Sequence, residues 1–305
     1  MSERRGPRAF AFGLTTVALV AAFVGLEIWR DRVYGEPAAG ETVLYIRSGD
    51  ALRRMSLGFK TLAADLYWIR AVQYYGGTRL SKSGTRNYDL LYPLLDITTT
   101  LDPHFIIAYR FGSIFLAEGY PGGPGRPDQA ITLLKKGFQV DPARWRYAQD
   151  IGFVYYWWLQ DYRSAAEWFE KAAGIAGAPW WLRSLAAVTR VQGGDRRGSR
   201  ALWQSLRESA DNDWLRNNAT LRLAQLDALD AIDQLTAIVA THRARTGEWP
   251  ASWDALVRAR MMAGKPVDPG GVPYVLDPAN GTVTLGPDSP LLPLPVGGQV
   301  APTAR

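Results

Sequence analysis

The chain has 305 residues, 47% of them hydrophobic and 12% aromatic, enough apolar material to bury a substantial core, which excludes an intrinsically disordered class. Its formal net charge is +6, but the basic residues are interleaved with acids rather than gathered in a tract, which argues against a nucleic-acid-binding protein. There is no cysteine, so disulfides, cysteine-based zinc sites and thiol catalysis are excluded.

The first element is an uncharged run from Ala9 to Leu26, which as a helix would cover roughly 27 Å, close to the hydrocarbon thickness of a bilayer. Arg4, Arg5 and Arg8 precede it and place the N-terminus on the cytoplasmic side, although Arg30 and Arg32 on the far flank oppose that bias. Glu27, Trp29, Arg30 and Asp31 follow directly where a cleaved signal peptide would carry small residues, so the reading is an uncleaved single-pass anchor over 1–29. Residues 30–55, with Gly35, Pro37, Gly40 and Gly49, read as a linker.

From 56 to 212 the pattern is helical, with Leu57, Leu62, Leu66, Ile69 and Val72 as the first apolar stripe. Within this region the Asp-Pro pairs Asp102–Pro103 and Asp141–Pro142, followed by Pro179, mark a period of about forty residues. "AYRFGSIF" aligns with "AQDIGFVYY", and "RPDQAITLLKKGFQVDP" aligns with "DYRSAAEWFEKAAGIAGAP". The spacing predicts paired helices, each pair closed by a proline. A long helix follows over 213–246. After Gly247 prolines and glycines crowd the chain, and "GVPYVLDPANGTVTLG" predicts two short strands around a turn at Asn280 and Gly281. Residues 291–305 read as a flexible tail.

The paired helices resemble the tetratricopeptide repeat family, through Phe111–Gly112, Ala130, Gly137 and Pro142 in one unit and Ile151–Gly152, Ala165, Phe169, Ala172 and Pro179 in the next. A degenerate unit follows and a divergent one precedes. Both good units exceed the family length, the first through the insertion "GYPGGPG" at 119–125, which is either a partner contact or a tolerated extension. Residues 247–290, with Gly247, Pro250, Ser252, Leu256, Asp268, Pro269, Gly271, Pro273 and Tyr274, resemble the globular part of type II secretion major pseudopilins. The anchor lacks a prepilin leader, so the chain is not expected to be a pilin subunit itself. The expected fold is mainly α: an N-terminal transmembrane helix, a helical-hairpin repeat solenoid and a small C-terminal α/β module.

Candidate chemistry is sparse. His104 and His242 are the only histidines and are far apart in sequence, and "SLGFKT" lacks the glycine spacing of a phosphate loop. Asp268, Asp277 and Asp288 could gather around a cation, but turn-forming Asp-Pro explains the first two. Neither a cofactor, a metal nor an enzymatic activity is expected. What the repeat resemblance implies instead is a groove for a protein partner, lined by Ile106, Tyr109, Ser113 and Leu116, then Arg146, Gln149, Phe153, Tyr156 and Trp157, then Trp180, Arg183 and Arg190. Tyr155 is expected to point inward, and the same aromatics could equally pack between units.

The implied role is assembly of a type IV pilus or type II secretion machine from the inner membrane, with the bulk of the chain periplasmic and no nucleic acid bound. The alternative is a periplasmic glycan-binding or glycan-processing protein that stacks sugars on these aromatics and draws on Asp150, Asp161 or Glu167. A third reading is a membrane-bound, chaperone-like adaptor unrelated to pili.

Overall fold

The computed structural model describes residues 16–26, 28–29, 48–81 and 86–295. Of the expected anchor over 1–29, residues 1–15 and 27 lie outside this set, as do residues 30–47 of the expected linker, while residues 16–26 form a helix, α1. Among the described residues no helix is long and apolar enough to cross a membrane. The described residues are mainly helical, with one small two-stranded sheet among them. It divides into two compact units, one running up to Ala108 together with Tyr120–Pro124, the other comprising Tyr109–Gly119 and everything from Gly125 onward.

In the first unit α2 (Gly49–Met55) occupies the end of the segment expected to be a linker, started by the Ser48 hydroxyl, which accepts from the Ala51 N–H. Helix α3 (Lys60–Leu80) packs on α4 (Leu91–Leu101) through Ala64, Tyr67, Ala71, Tyr74 and Tyr75. These are not the residues that periodicity selects. The stripe Leu62, Leu66, Ile69 and Val72 lies on the opposite face and is 38–57% exposed. Both faces of α3 are apolar, so periodicity alone cannot tell which one meets α4; the tyrosines win because their hydroxyls reach polar partners at the edge of the core. The Tyr74 hydroxyl, for example, donates to the Asn87 carbonyl at 2.6 Å.

The second unit is a succession of helices, α5 (Ile106–Ala117, entered at Tyr109), α6 (Pro127–Val140), α7 (Trp145–Val154), α8 (Tyr162–Ala173), α9 (Trp181–Gln192) and α10 (Arg196–Glu208). Short turns join α6 through α10, so packed neighbours run in opposite directions. Asp-Pro acts as the stop signal that the sequence suggests. Asp102 and Asp141 end α4 and α6 outside helical geometry, as the following proline requires. Small residues let the helices approach. A Cβ on Gly152 would stand 2.6 Å from the Phe169 ring, and one on Gly137 would stand 3.0 Å from the Tyr109 ring. Phe169 is fully buried among Ala148, Ala165, Ala172, Leu182 and Ala186.

Aspartates start the second helix of two pairs: Asp161 accepts from the Ser164 N–H at 3.0 Å, and Asp195 accepts from the Gly198 N–H at 2.8 Å. Both carboxyls are held below the ordinary aspartate range, Asp161 chiefly by its hydrogen bond with Ser164 and Asp195 by the Gly198 N–H. Asp161→Ala and Asp195→Ala should each destabilise the unit by about 1 kcal/mol in urea unfolding. Because the folded-state values are depressed, this stabilisation is present above the unfolded aspartate value of about 3.9 and is lost as pH falls through the lowered ones. Asparagine at either position should keep most of the cap and flatten that acid limb; an unchanged limb would mean that other carboxylates carry it.

Helix α11 (Asp213–Thr246) follows, capped by the Asn212 side chain at its start and by Gly247 in the left-handed conformation, φ 83°, at its end. Arg196 and Arg200 of α10 bind a ladder of Asp227, Asp230 and Asp233 along it; Arg200 Nη2 donates to Asp230 Oδ2 at 2.6 Å. The far half of α11 shares one core with the C-terminal residues. Ala228, Leu235 and Val239 pack with Trp253 and Leu256 of α12 (Trp253–Arg258) and with Tyr274, Val283, Leu285 and Leu291.

The expected hairpin is present. Strands β1 (Val275–Leu276) and β2 (Val283–Thr284) pair antiparallel, with Val275 opposite Thr284. Gly281 takes φ 74° at the turn, and a Cβ there would run into the Trp249 ring, so glycine is required both for conformation and for space. The start of the expected flexible tail is corrected: Leu291 is buried, and Gln225 of α11 donates to the Leu291 and Pro293 carbonyls at 2.8 and 3.0 Å. A buried amide that must be satisfied tethers this stretch, and such a polar contact across the chain has no periodic signature. Residues 296–305 lie outside the described set.

Candidate functional site

Helix α5 sends Tyr109, Ser113, Leu116 and Ala117 inward. Tyr109 meets the ring of Tyr147 edge-on at 5.5 Å, and burial pushes the Tyr147 phenol up to about 12, so it stays neutral. With these positions occupied, Arg110, Phe111 and Ile114 face outward. On α7 the inward set is Tyr147, Ala148, Ile151, Gly152 and Val154. The chain then leaves α-helical geometry in a π-helical turn, Tyr155–Leu159, and stops at Gln160 in the left-handed conformation, φ 52°. The wider turn changes the directions in which Tyr156, Trp157 and Trp158 project. Tyr156 contacts the rings of both Trp157 and Tyr162 edge-on, at 5.0 and 5.2 Å.

Between α5 and this turn lies a hollow of about 290 Å³, walled by Phe111, Ile114, Phe153, Trp157 and Trp158 and floored by Arg110 and Asp150. The guanidinium grips the carboxylate with two hydrogen bonds, Nε to Oδ2 at 2.5 Å and Nη2 to Oδ1 at 3.1 Å. The Asp150 side chain is only 15% exposed. Its burial raises the carboxyl above the ordinary range, and Arg110 opposes that rise; in return the carboxylate raises the Arg110 guanidinium. The pair is thus mutually committed. It offers an oriented, internally neutralised polar floor beneath an aromatic and aliphatic rim.

The residues expected to line a groove distribute unevenly. Tyr109 and Leu116 are fully buried and Ser113 nearly so, which removes all three from the accessible set and makes them core. The open face of α5 is instead Arg110, Phe111 and Ile114, with Phe111 51% and Ile114 45% exposed. A charged Arg110 one turn from Ile107 and Ile114 is the available sequence signal for the outward face. Phe153 lines the hollow but also packs edge-on against Phe169 at 5.1 Å. Trp157 is 65% exposed. Tyr156 is half-buried, Gln149 is half-buried, and Arg146 is exposed with its guanidinium over the Trp145 ring at 4.6 Å.

Trp180 and Arg183 are exposed at the start of α9, where Trp180 stacks edge-on with Trp214 at 5.7 Å. Arg190 is committed elsewhere: it clamps Glu170 with two hydrogen bonds, one of 2.8 Å, and also binds Asp195, joining α8, α9 and the start of α10. Tyr155, expected to point inward, is half-buried against the core around Phe169. Of the carboxylates expected near the aromatics, Asp150 is tied to Arg110 and Asp161 caps α8, while Glu167 is exposed. In the C-terminal residues Asp268 is buried; its Oδ1 accepts from the Gly270 and Val272 N–H groups and its Oδ2 from the Ser289 hydroxyl, which makes it the organiser of a turn.

Comparison of the chain with protein-family models, curated proteins and solved structures finds no match.

Proposed function

We propose that this chain is a membrane-anchored helical-repeat adaptor of the tetratricopeptide kind, which holds an extended segment of a partner protein in the hollow between α5 and the π-helical turn. The carrying observation is the hollow of about 290 Å³ whose rim exposes Phe111, Ile114 and Trp157 while its only ionised groups, Arg110 and Asp150, neutralise each other. Large apolar side chains left open on a packed scaffold favour docking of another apolar group, and a satisfied ion pair beneath them can orient the peptide's main chain without driving chemistry. The anchor over 1–29, the inner-membrane location and the periplasmic placement of the bulk remain part of this reading. The setting it favours, through the resemblance of residues 247–290 to pseudopilins, is assembly of a type IV pilus or type II secretion machine.

A displayed library of random peptides tests this without the partner being identified in advance. Selection on the wild-type chain, with counter-selection on Phe111→Ser/Trp157→Ala, should enrich peptides carrying one large apolar residue. Failure to enrich, or equal binding of the selected peptides to the double variant, refutes the reading. Binding of soluble glycan fragments in place of peptides would favour the carbohydrate alternative.

A further inference from the structure

Between α2 and α3 the chain turns a corner that offers its apolar side chains to solvent. Met55 is 65%, Leu57 88% and Phe59 72% exposed. The turn is tightly made: the Ser56 N–H donates to the Leu52 carbonyl at 2.9 Å, and the Phe59 N–H donates to the Ser56 carbonyl at 2.7 Å. To close it, Leu57 takes φ 44° and Gly58 takes φ 102°. Glycine accepts that geometry freely, whereas a leucine in the left-handed region is strained, and so open a side chain gains almost nothing from the fold in return. Three cations surround the tip, Arg53 and Arg54 in the last turn of α2 and Lys60 at the start of α3. All three are exposed, and none has an ion-pair partner among the described residues.

We infer that this corner docks on a phospholipid surface carrying anionic headgroups, with Met55, Leu57 and Phe59 entering the layer and Arg53, Arg54 and Lys60 lying among the phosphates. The inference rests on the anchored reading of residues 1–29. Two features choose lipid as the occupant. The first is charge: an apolar tip among uncompensated cations complements an anionic interface, where each basic residue strengthens attachment by about fivefold. The second is the tether. The chain between residue 29 and Ser48, the N-cap of α2, extends at most about 65 Å, so an anchored chain holds the corner beside the bilayer at a high effective concentration. Asp65, exposed further along α3, sets the limit of insertion: the corner enters the layer and the rest of the helix stands clear of it.

Because the chain has no cysteine, a single introduced thiol can carry one fluorophore. The full chain bearing Met55→Cys, reconstituted into vesicles of phosphatidylcholine and phosphatidylglycerol, should have its label quenched by nitroxide lipids and protected from aqueous iodide. A label at Thr132→Cys, exposed on α6, should behave in the opposite way. In the Met55→Cys background, Leu57→Ser/Phe59→Ser should lower the ratio of docked to undocked corner by about a hundredfold. Arg53→Gln/Arg54→Gln/Lys60→Gln should lower it by about tenfold or more, and phosphatidylcholine alone should do the same to the unsubstituted corner. Protection from iodide without quenching by lipid would mean that protein covers the corner, and it would overturn the inference, as would indifference to the charge substitutions. A chain that floats with the vesicles while its Met55 label stays open to iodide refutes the inference and leaves the anchor standing. A chain that does not float refutes both.

Discussion

Replacing Phe169 by alanine is expected to lower the unfolding free energy of the second unit by about 3–5 kcal/mol, measured by urea titration of tryptophan fluorescence. The ring has no exposed surface and fills the space between α7, α8 and α9, so its removal opens a cavity that these helices cannot close without breaking their other contacts. Gly152 supplies the reciprocal experiment. A methyl group there would stand 2.6 Å from the ring, so Gly152→Ala should also destabilise, by about 1–3 kcal/mol, through overpacking. In the background of Phe169→Leu the cost of Gly152→Ala should shrink, because the smaller side chain vacates the contested space. Strict additivity in that double-mutant cycle would show that the two residues do not share a packing site.

The second large effect concerns binding. For a peptide selected on the wild-type chain, Trp157→Ala and Phe111→Ala should each cost about 2 kcal/mol, roughly thirtyfold in Kd by fluorescence titration. Their effect on stability should stay within about 0.5 kcal/mol, because both rings are more than half exposed and little of the fold leans on them. Arg183→Ala, outside the hollow, should change neither quantity. Equal losses of affinity and stability would show that these aromatics belong to the core. An effect of Arg183 as large as that of Trp157 would extend the site toward α9.

Much of the architecture is legible in the chain itself, through signals that act locally. Asp141–Pro142 ends a helix because proline excludes α geometry from the preceding residue, and it does so wherever the pair occurs. Asn280 and Gly281 mark a hairpin turn, where the Asn280 side chain accepts from the Thr282 N–H at 2.8 Å and the glycine takes a positive φ. Leu62, Leu66 and Ile69 form a continuous apolar face that periodicity alone reveals. The direction of that face is not legible, because α3 also carries Ala64, Tyr67, Ala71, Tyr74 and Tyr75 on its other side.

The candidate site divides along the same line. Trp157 and Phe153 stand out by aromatic density alone, and both line the hollow. Arg110, Phe111 and Ile114 do not, because their outward orientation depends on Tyr109 being claimed by Gly137 and Tyr147. The Arg110–Asp150 grip joins residues forty positions apart, and the π-helical turn that aims Trp157 has no sequence code of its own. Sequence by itself determined where helices begin and end, that they come in pairs, and which faces are apolar, since caps, prolines and periodicity act over a few residues. Only the tertiary structure decided which apolar face is core and which is open, because that choice is a competition among neighbouring helices for the same buried volume, and no single segment carries its outcome.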